Sequence, residues 1–324
     1  HTWTENVILP NRKSTGDHKL VRLRFSFMRQ NAVRPFGFRL KKRWFFTGLF
    51  LCLLMLTRCI RLHKTDREIE KYFKDAPVKP RFHTYVQDGW PIHYAEIGAD
   101  SLPTVVFIHG SPGSWDAFIG FFKDTTLYTK ARLVSVDRPG YGKSDYGTPE
   151  TSLWQQAALL APVLRTNRNP KKPVLVGHSL GGPVAARLAM DYPNLTGGLV
   201  LVAASVDPGQ EKNEWYRHVG EWALVRKLLP TEFDVSNREI LPLKDELTKM
   251  LPLWKKIRVP VTVIHGDADV LVPFANAAFS KKMLVHAPVE MVMLPKVNHF
   301  IPWSHPQVIR QAVLQQLKLE VRKQ

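Results

Sequence analysis

The stretch from Val174 to Met190, VLVGHSLGGPVAARLAM, constrains the fold more than any other part of the chain. Four apolar residues read as a buried strand, a glycine-bracketed serine follows, and PVAARLAM reads as a helix. A turn this tight forces its central residue, Ser179, into a strained backbone, so the positions two before and two after it must be small. Gly177 and Gly181 meet that need. The serine hydroxyl is then held at the head of a helix, where unpaired N–H groups favour developing negative charge.

Similar runs recur from Arg81 onward. Thr104–His109, Arg132–Val136, Val174–Gly177, Gly198–Ala203, Val261–His265 and Glu290–Leu294 are short and β-branched, and helix-like stretches alternate with them. That alternation predicts an α/β fold with a mostly parallel sheet. Phe82–Gln87 and Ile92–Glu96 flank Asp88-Gly89-Trp90-Pro91 and predict an antiparallel hairpin at its start. In such sheets ligands bind beyond the carboxyl ends of the strands, so the residues just after each run are the ones that matter.

The run TVVFIH ends on the first residue of His109-Gly110-Ser111-Pro112-Gly113-Ser114. An H-G-x-P loop after the third strand paired with G-x-S-x-G after the fifth resembles the α/β-hydrolase superfamily, over about residues 81–320. The segment Asp137-Arg138-Pro139-Gly140-Tyr141-Gly142-Lys143-Ser144 is similar to that family's turn after the fourth strand. The resemblance implies an eight-stranded, mostly parallel sheet flanked by helices, with a helical cap. It also implies an oxyanion hole from the backbone N–H groups of Ser111 and Leu180, and an acid at Asp269, in the loop Gly266–Pro273. The general base falls at His299, just after the last strand. Asp267 is the alternative acid, and His109, His265 and His305 are read as structural. A carboxylate at the elbow would imply alkyl-enzyme chemistry, whereas Ser179 implies acyl transfer.

Between the strands near Ala203 and Val261 lie more than 50 residues, too many for a plain connection. Residues 206–258 are therefore expected to form the cap, leaving 81–205 and 259–324 as the core. Trp115, His178 and Trp215 are expected to line the substrate pocket. The expected reaction is hydrolysis of small-molecule ester-like carbonyls through an acyl-enzyme. A carbon–carbon bond hydrolase or a proline-type aminopeptidase would use the same residues, and a catalytically silent, membrane-tethered binding module is the non-enzyme alternative. No metal or organic cofactor is implied, and the oligomeric state is left open. With only Cys52 and Cys59 present, a disulfide scaffold and a cysteine-rich zinc module are excluded.

The net charge of +18 is concentrated at the N-terminus, where residues 1–80 hold 18 Lys/Arg against 6 Asp/Glu. Basic residues leading into the uncharged 14-residue run Trp44–Thr57 fit acidic lipid better than nucleic acid. Residues 1–43 are expected to be a basic region, 44–60 a signal or anchor segment, and 61–80 a short helix and linker. Localisation is expected to be membrane-associated or exported, as in a bacterial envelope. Fourteen residues match the apolar part of a leader, and Arg58 and Arg61 could snorkel to extend a span through Ile60 and Leu62. Leu56-Thr57-Arg58-Cys59 resembles a lipoprotein acylation box, with Arg58 where a small residue belongs. With Met28 as the start, Met28–Thr57 reads as a complete leader and residues 1–27 as untranslated.

Overall fold

The computed structural model describes residues 62–319 apart from residue 213. The basic region, the apolar run and both cysteines lie outside the described residues.

Eight strands form one sheet: β1 (Arg81–Gln87), β2 (Trp90–Ile97), β3 (Thr104–Ile108), β4 (Arg132–Val136), β5 (Val174–His178), β6 (Gly198–Val202), β7 (Val261–Gly266) and β8 (Val289–Leu294). Their order is β1-β2-β4-β3-β5-β6-β7-β8. β1 and β2 pair antiparallel, as do β2 and β4, and every later pairing is parallel. The two-residue turn Asp88-Gly89 has positive φ at both positions, 49° and 82°. This is the twist-matched geometry that joins a tight hairpin.

Every residue of β3, β4, β5, β6 and β7 is buried. Helices cover both faces, which is why these strands read as continuous apolar runs rather than as alternating ones. On one face Leu153–Arg165 and Gly181–Asp191 pack Leu160, Val184 and Leu188 against the sheet. On the other, the 3₁₀ segment Trp115–Lys123 and the helix Pro306–Leu319 contribute Phe118, Phe122, Ile309 and Val313. The stretch expected to be a short helix and linker holds a helix, Asp66–Tyr72, capped by Thr65 through a reciprocal bond with Glu68. It is not a free tether, because Ile69 and Phe73 are buried in the second core.

Between β6 and β7 stand the helices Trp215–Gly220, Ala223–Leu228, Thr231–Ile240 and Leu243–Met250, followed by a 3₁₀ turn. Leu243, Leu247, Met250 and Trp254 join the main core, while Trp215, Trp222 and Leu224 face solvent.

Candidate active site

β5 ends at His178, and Ser179 follows with φ 53°, the left-handed conformation the tight turn requires. A Cβ on Gly177 would run into the Gly181 backbone, and one on Gly181 into the Ile108 carbonyl. The strand, the helix and the loop after β3 therefore approach closely only because these positions are glycine. Gly110 belongs to the same contact, since a Cβ there would lie 2.8 Å from the Ser179 Cβ.

Asp269 and His299 come together from two different loops. The His299 Nδ1–H donates to Asp269 Oδ2 at 2.7 Å, so in a neutral ring the lone pair lies on Nε2. The other carboxylate oxygen, Oδ1, accepts the backbone N–H groups of Leu271 (2.9 Å) and Val272 (2.8 Å). Burial pushes the Asp269 carboxyl up. Hydrogen bonds from His265, His299 and Val272 outweigh that and hold it well below the usual carboxylate range. Ser179 and His299 line one cavity of about 640 Å³, and no hydrogen bond joins them in this arrangement. The hydroxyl turns about a single bond, and contacts of this kind tighten around bound substrate.

Ser111 and Leu180 line the same cavity. Among the described residues neither backbone N–H has an acceptor, so both are available to a ligand oxygen. The Ser111 hydroxyl is fixed from behind, 3.0 Å from Tyr141 Oη and 2.8 Å from Ser236 Oγ.

His178 lines the cavity, and its Nε2–H donates to the His299 carbonyl at 3.1 Å, so it fixes the His299 backbone. Burial, with the neighbouring His299, pushes its pKa down to about 3. His109 accepts the Arg138 N–H at Nε2 (3.0 Å) and donates Nδ1–H to the Gly110 carbonyl (2.7 Å). Burial and then Arg138 hold it well below the ordinary histidine value.

A histidine kept neutral by the fold takes up its proton only on unfolding. Each contributes stability that is complete above about pH 6.5 and lost as pH falls toward its folded-state value. The slope approaches about 1.4 kcal/mol per pH unit for each. The contribution of Asp269 survives to lower pH, being lost only below about pH 4. Thermal unfolding is therefore expected to drop steadily from pH 7 to pH 4, and less steeply in His178→Gln. An unchanged slope in that variant would contradict the assignment.

Two expected pocket residues are corrected. Trp115 packs its ring against Phe82 and Phe122, at 5.4 and 5.5 Å, and lines a separate, smaller cavity beside His93 and Asp137. Trp215 is 76% exposed and outside the cavity, because its helix turns that side outward. The walls come instead from Phe233, Ile240, Leu243, Leu271, Phe300 and Trp303.

Sequence reasoning missed Glu211 and Arg217, which also line the cavity. Burial pushes the Glu211 carboxyl up, against its hydrogen bond with Ser205. It also missed the pairing of Arg138 with Glu239. Arg138, fully buried, donates to both Glu239 oxygens at 2.8 and 2.9 Å, and to the carbonyls of His109 (2.9 Å) and Gly110 (3.0 Å). Tyr141 donates to Glu239 at 2.6 Å. The insertion is thereby tied to the loop that carries Ser111.

Residues 105–312 match the model of the alpha/beta hydrolase family. A curated relative, the pimeloyl-[acyl-carrier protein] methyl ester esterase of Wigglesworthia glossinidia brevipalpis, is 27% identical over 257 residues, covering 67% of this chain and 93% of its own. A 2-hydroxy-6-oxononadienedioate/2-hydroxy-6-oxononatrienedioate hydrolase of Paraburkholderia phymatum is 35% identical over 114 residues, 34% of this chain and 39% of its own. Among solved structures, a membrane phospholipase A described as a bacterial virulence factor superposes with a TM-score of 0.59. It is 19% identical and the match covers 89% of this chain and 98% of that one, a likeness of fold.

Proposed function

Because the chain belongs to the alpha/beta hydrolase family, we propose that it is a serine hydrolase that cleaves ester-like carbonyl substrates through an acyl-enzyme on Ser179. The observation that carries this reading is the Asp269–His299 contact on the cavity that also holds Ser179 at a positive-φ turn.

In the proposed cycle His299, oriented by Asp269, takes the Ser179 proton as Oγ bonds to the carbonyl carbon. The carbonyl electron pair moves onto oxygen, and the oxyanion is met by the N–H groups of Ser111 and Leu180. Each such donor contributes about 3 kcal/mol when it is aimed at the developing charge. The intermediate collapses, the alcohol leaves with the proton held by His299, and water activated by the same ring releases the acyl group.

The apolar walls support an apolar acyl or alcohol group, and the volume, about 640 Å³, is in the range of small-molecule sites. The basic N-terminal region and the run Trp44–Thr57 support attachment to, or passage through, a membrane. The carbon–carbon hydrolase reading keeps the same residues and draws on the Paraburkholderia relative. A series of p-nitrophenyl esters of increasing chain length, beside a vinylogous 1,5-diketone acid, separates the two. Ester turnover with an optimum at medium chain length is expected, and turnover of the diketone alone would reverse the assignment.

A further inference from the structure

Five large apolar side chains line the cavity and at the same time open to solvent. Leu62, Phe233, Leu271, Phe300 and Trp303 are 41% to 61% exposed, so they form its rim. More large apolar side chains stand exposed on the elements that carry Arg217 and Leu271 and on the helix that follows. Trp215 and Tyr216, on the helix that carries Arg217, and Trp222 and Leu224, at the start of the next, are 52% to 76% exposed, and Val270, next to Leu271, is 89% exposed. Soluble surfaces rarely gather so many large apolar groups in one place, and tryptophan and tyrosine among them favour a water–lipid boundary.

Charge selects the occupant. At the mouth Lys64 and Arg217 are balanced by Asp116 and Glu211, and the positive excess lies in the segment that leads into it, where residues 1–80 hold 18 Lys/Arg against 6 Asp/Glu. A second copy would bring another such basic N-terminal segment against this one, whereas anionic headgroups would be drawn to it. Chain connectivity points the same way. The uncharged run Trp44–Thr57 stops five residues before Leu62, itself on the rim. Five residues reach about 18 Å at most, so a lipid-inserted run would keep the mouth within that distance of the surface.

We propose that the rim docks on an anionic lipid surface, with the helices 215–228 and the loop tips at 270–271 and 300–303 resting on it and the cavity mouth turned toward the acyl chains. The substrate then passes from the lipid to Ser179 without crossing water. The docking stands on the surface itself, and the delivery step rests on the reading of Ser179 as the nucleophile.

The test compares the full chain with its Trp215→Ser/Trp222→Ser/Leu224→Ser variant, three positions outside the cavity. Vesicles of phosphatidylcholine and phosphatidylglycerol carry brominated acyl chains, and one medium-chain ester is offered either as monomer or dissolved in the vesicles. In the variant, hydrolysis of the vesicle-borne ester is expected to fall about tenfold or more, from the apolar area lost. The monomer rate should stay within about twofold, since none of the three side chains touches the cavity. Quenching of tryptophan by the brominated chains should drop as well. Parallel changes in both rates, unchanged quenching, or a fall in solution mass from dimer to monomer with quenching unaltered would each overturn the docking. If neither form of the ester is hydrolysed by the wild type, the hydrolase reading fails and quenching alone decides: a drop supports docking, and no change overturns it.

Discussion

Ser179→Ala is expected to lower kcat/KM for an ester substrate by a factor on the order of 10⁴ to 10⁶, with little change in thermal stability. The alanine keeps the elbow and removes the only atom that bonds to the substrate carbon in the proposed cycle. His299→Ala is expected to cost about as much, because nucleophile and base act as a unit and the two losses do not add. Asp269→Asn should be nearly as severe, about 10⁴. Oδ1 already accepts the Leu271 and Val272 N–H groups, so the new amide nitrogen must take the Oδ2 position and would face His299 Nδ1 as a donor. That reverses the ring tautomer and takes the lone pair away from Nε2. Steady-state kinetics on the three variants checks this, and a loss below tenfold for Ser179→Ala would remove it from the chemistry.

The second large effect is on stability. Glu239→Ala is expected to cost about 3 to 5 kcal/mol, because it strands the guanidinium of Arg138 in the core without its carboxylate. In a domain of this size that corresponds to a drop in Tm of roughly 10 °C. The pair lies at 0% and 1% side-chain exposure, so solvent cannot take over the role of the lost carboxylate. In Arg138→Met/Glu239→Leu much of the stability should return, since a buried pair replaced by apolar groups is often neutral. Activity should not return with it, because Arg138 also holds the carbonyls of His109 and Gly110, the residues that lead into Ser111. Thermal unfolding and ester turnover on the single and double variants separate the two roles. A cost below 1 kcal/mol for Glu239→Ala would show that the pair does not hold the insertion to the core.

Much of this was legible in the sequence because the signals are local. Strands buried on both faces must be uninterrupted apolar runs, and the elbow at Ser179 leaves glycines wherever backbones touch. The Asp269–His299 contact was reachable because both residues lie in loops that follow strands and the family resemblance nominates them as a pair. Other features depend on which distant segment packs where. Arg138 sits in a turn whose glycines and proline explain it locally, and nothing there points to Glu239, 101 residues away. Trp115 and Trp215 show the same limit in reverse. Size and hydrophobicity nominate a tryptophan for a pocket wall, but its direction is set by packing, which buries Trp115 in the second core and leaves Trp215 outside. Leu62 and Lys64, in a stretch that reads as a tether, reach the cavity only because Ile69 and Phe73 anchor the helix beside them.

An activated Ser179 can be trapped covalently. The full chain is treated with a fluorophosphonate, digested, and the modified peptide located by mass. One adduct is expected, on Ser179, absent from Ser179→Ala and strongly reduced in His299→Ala. A folded protein that stays unlabelled, or that carries its adduct on another residue, would contradict it.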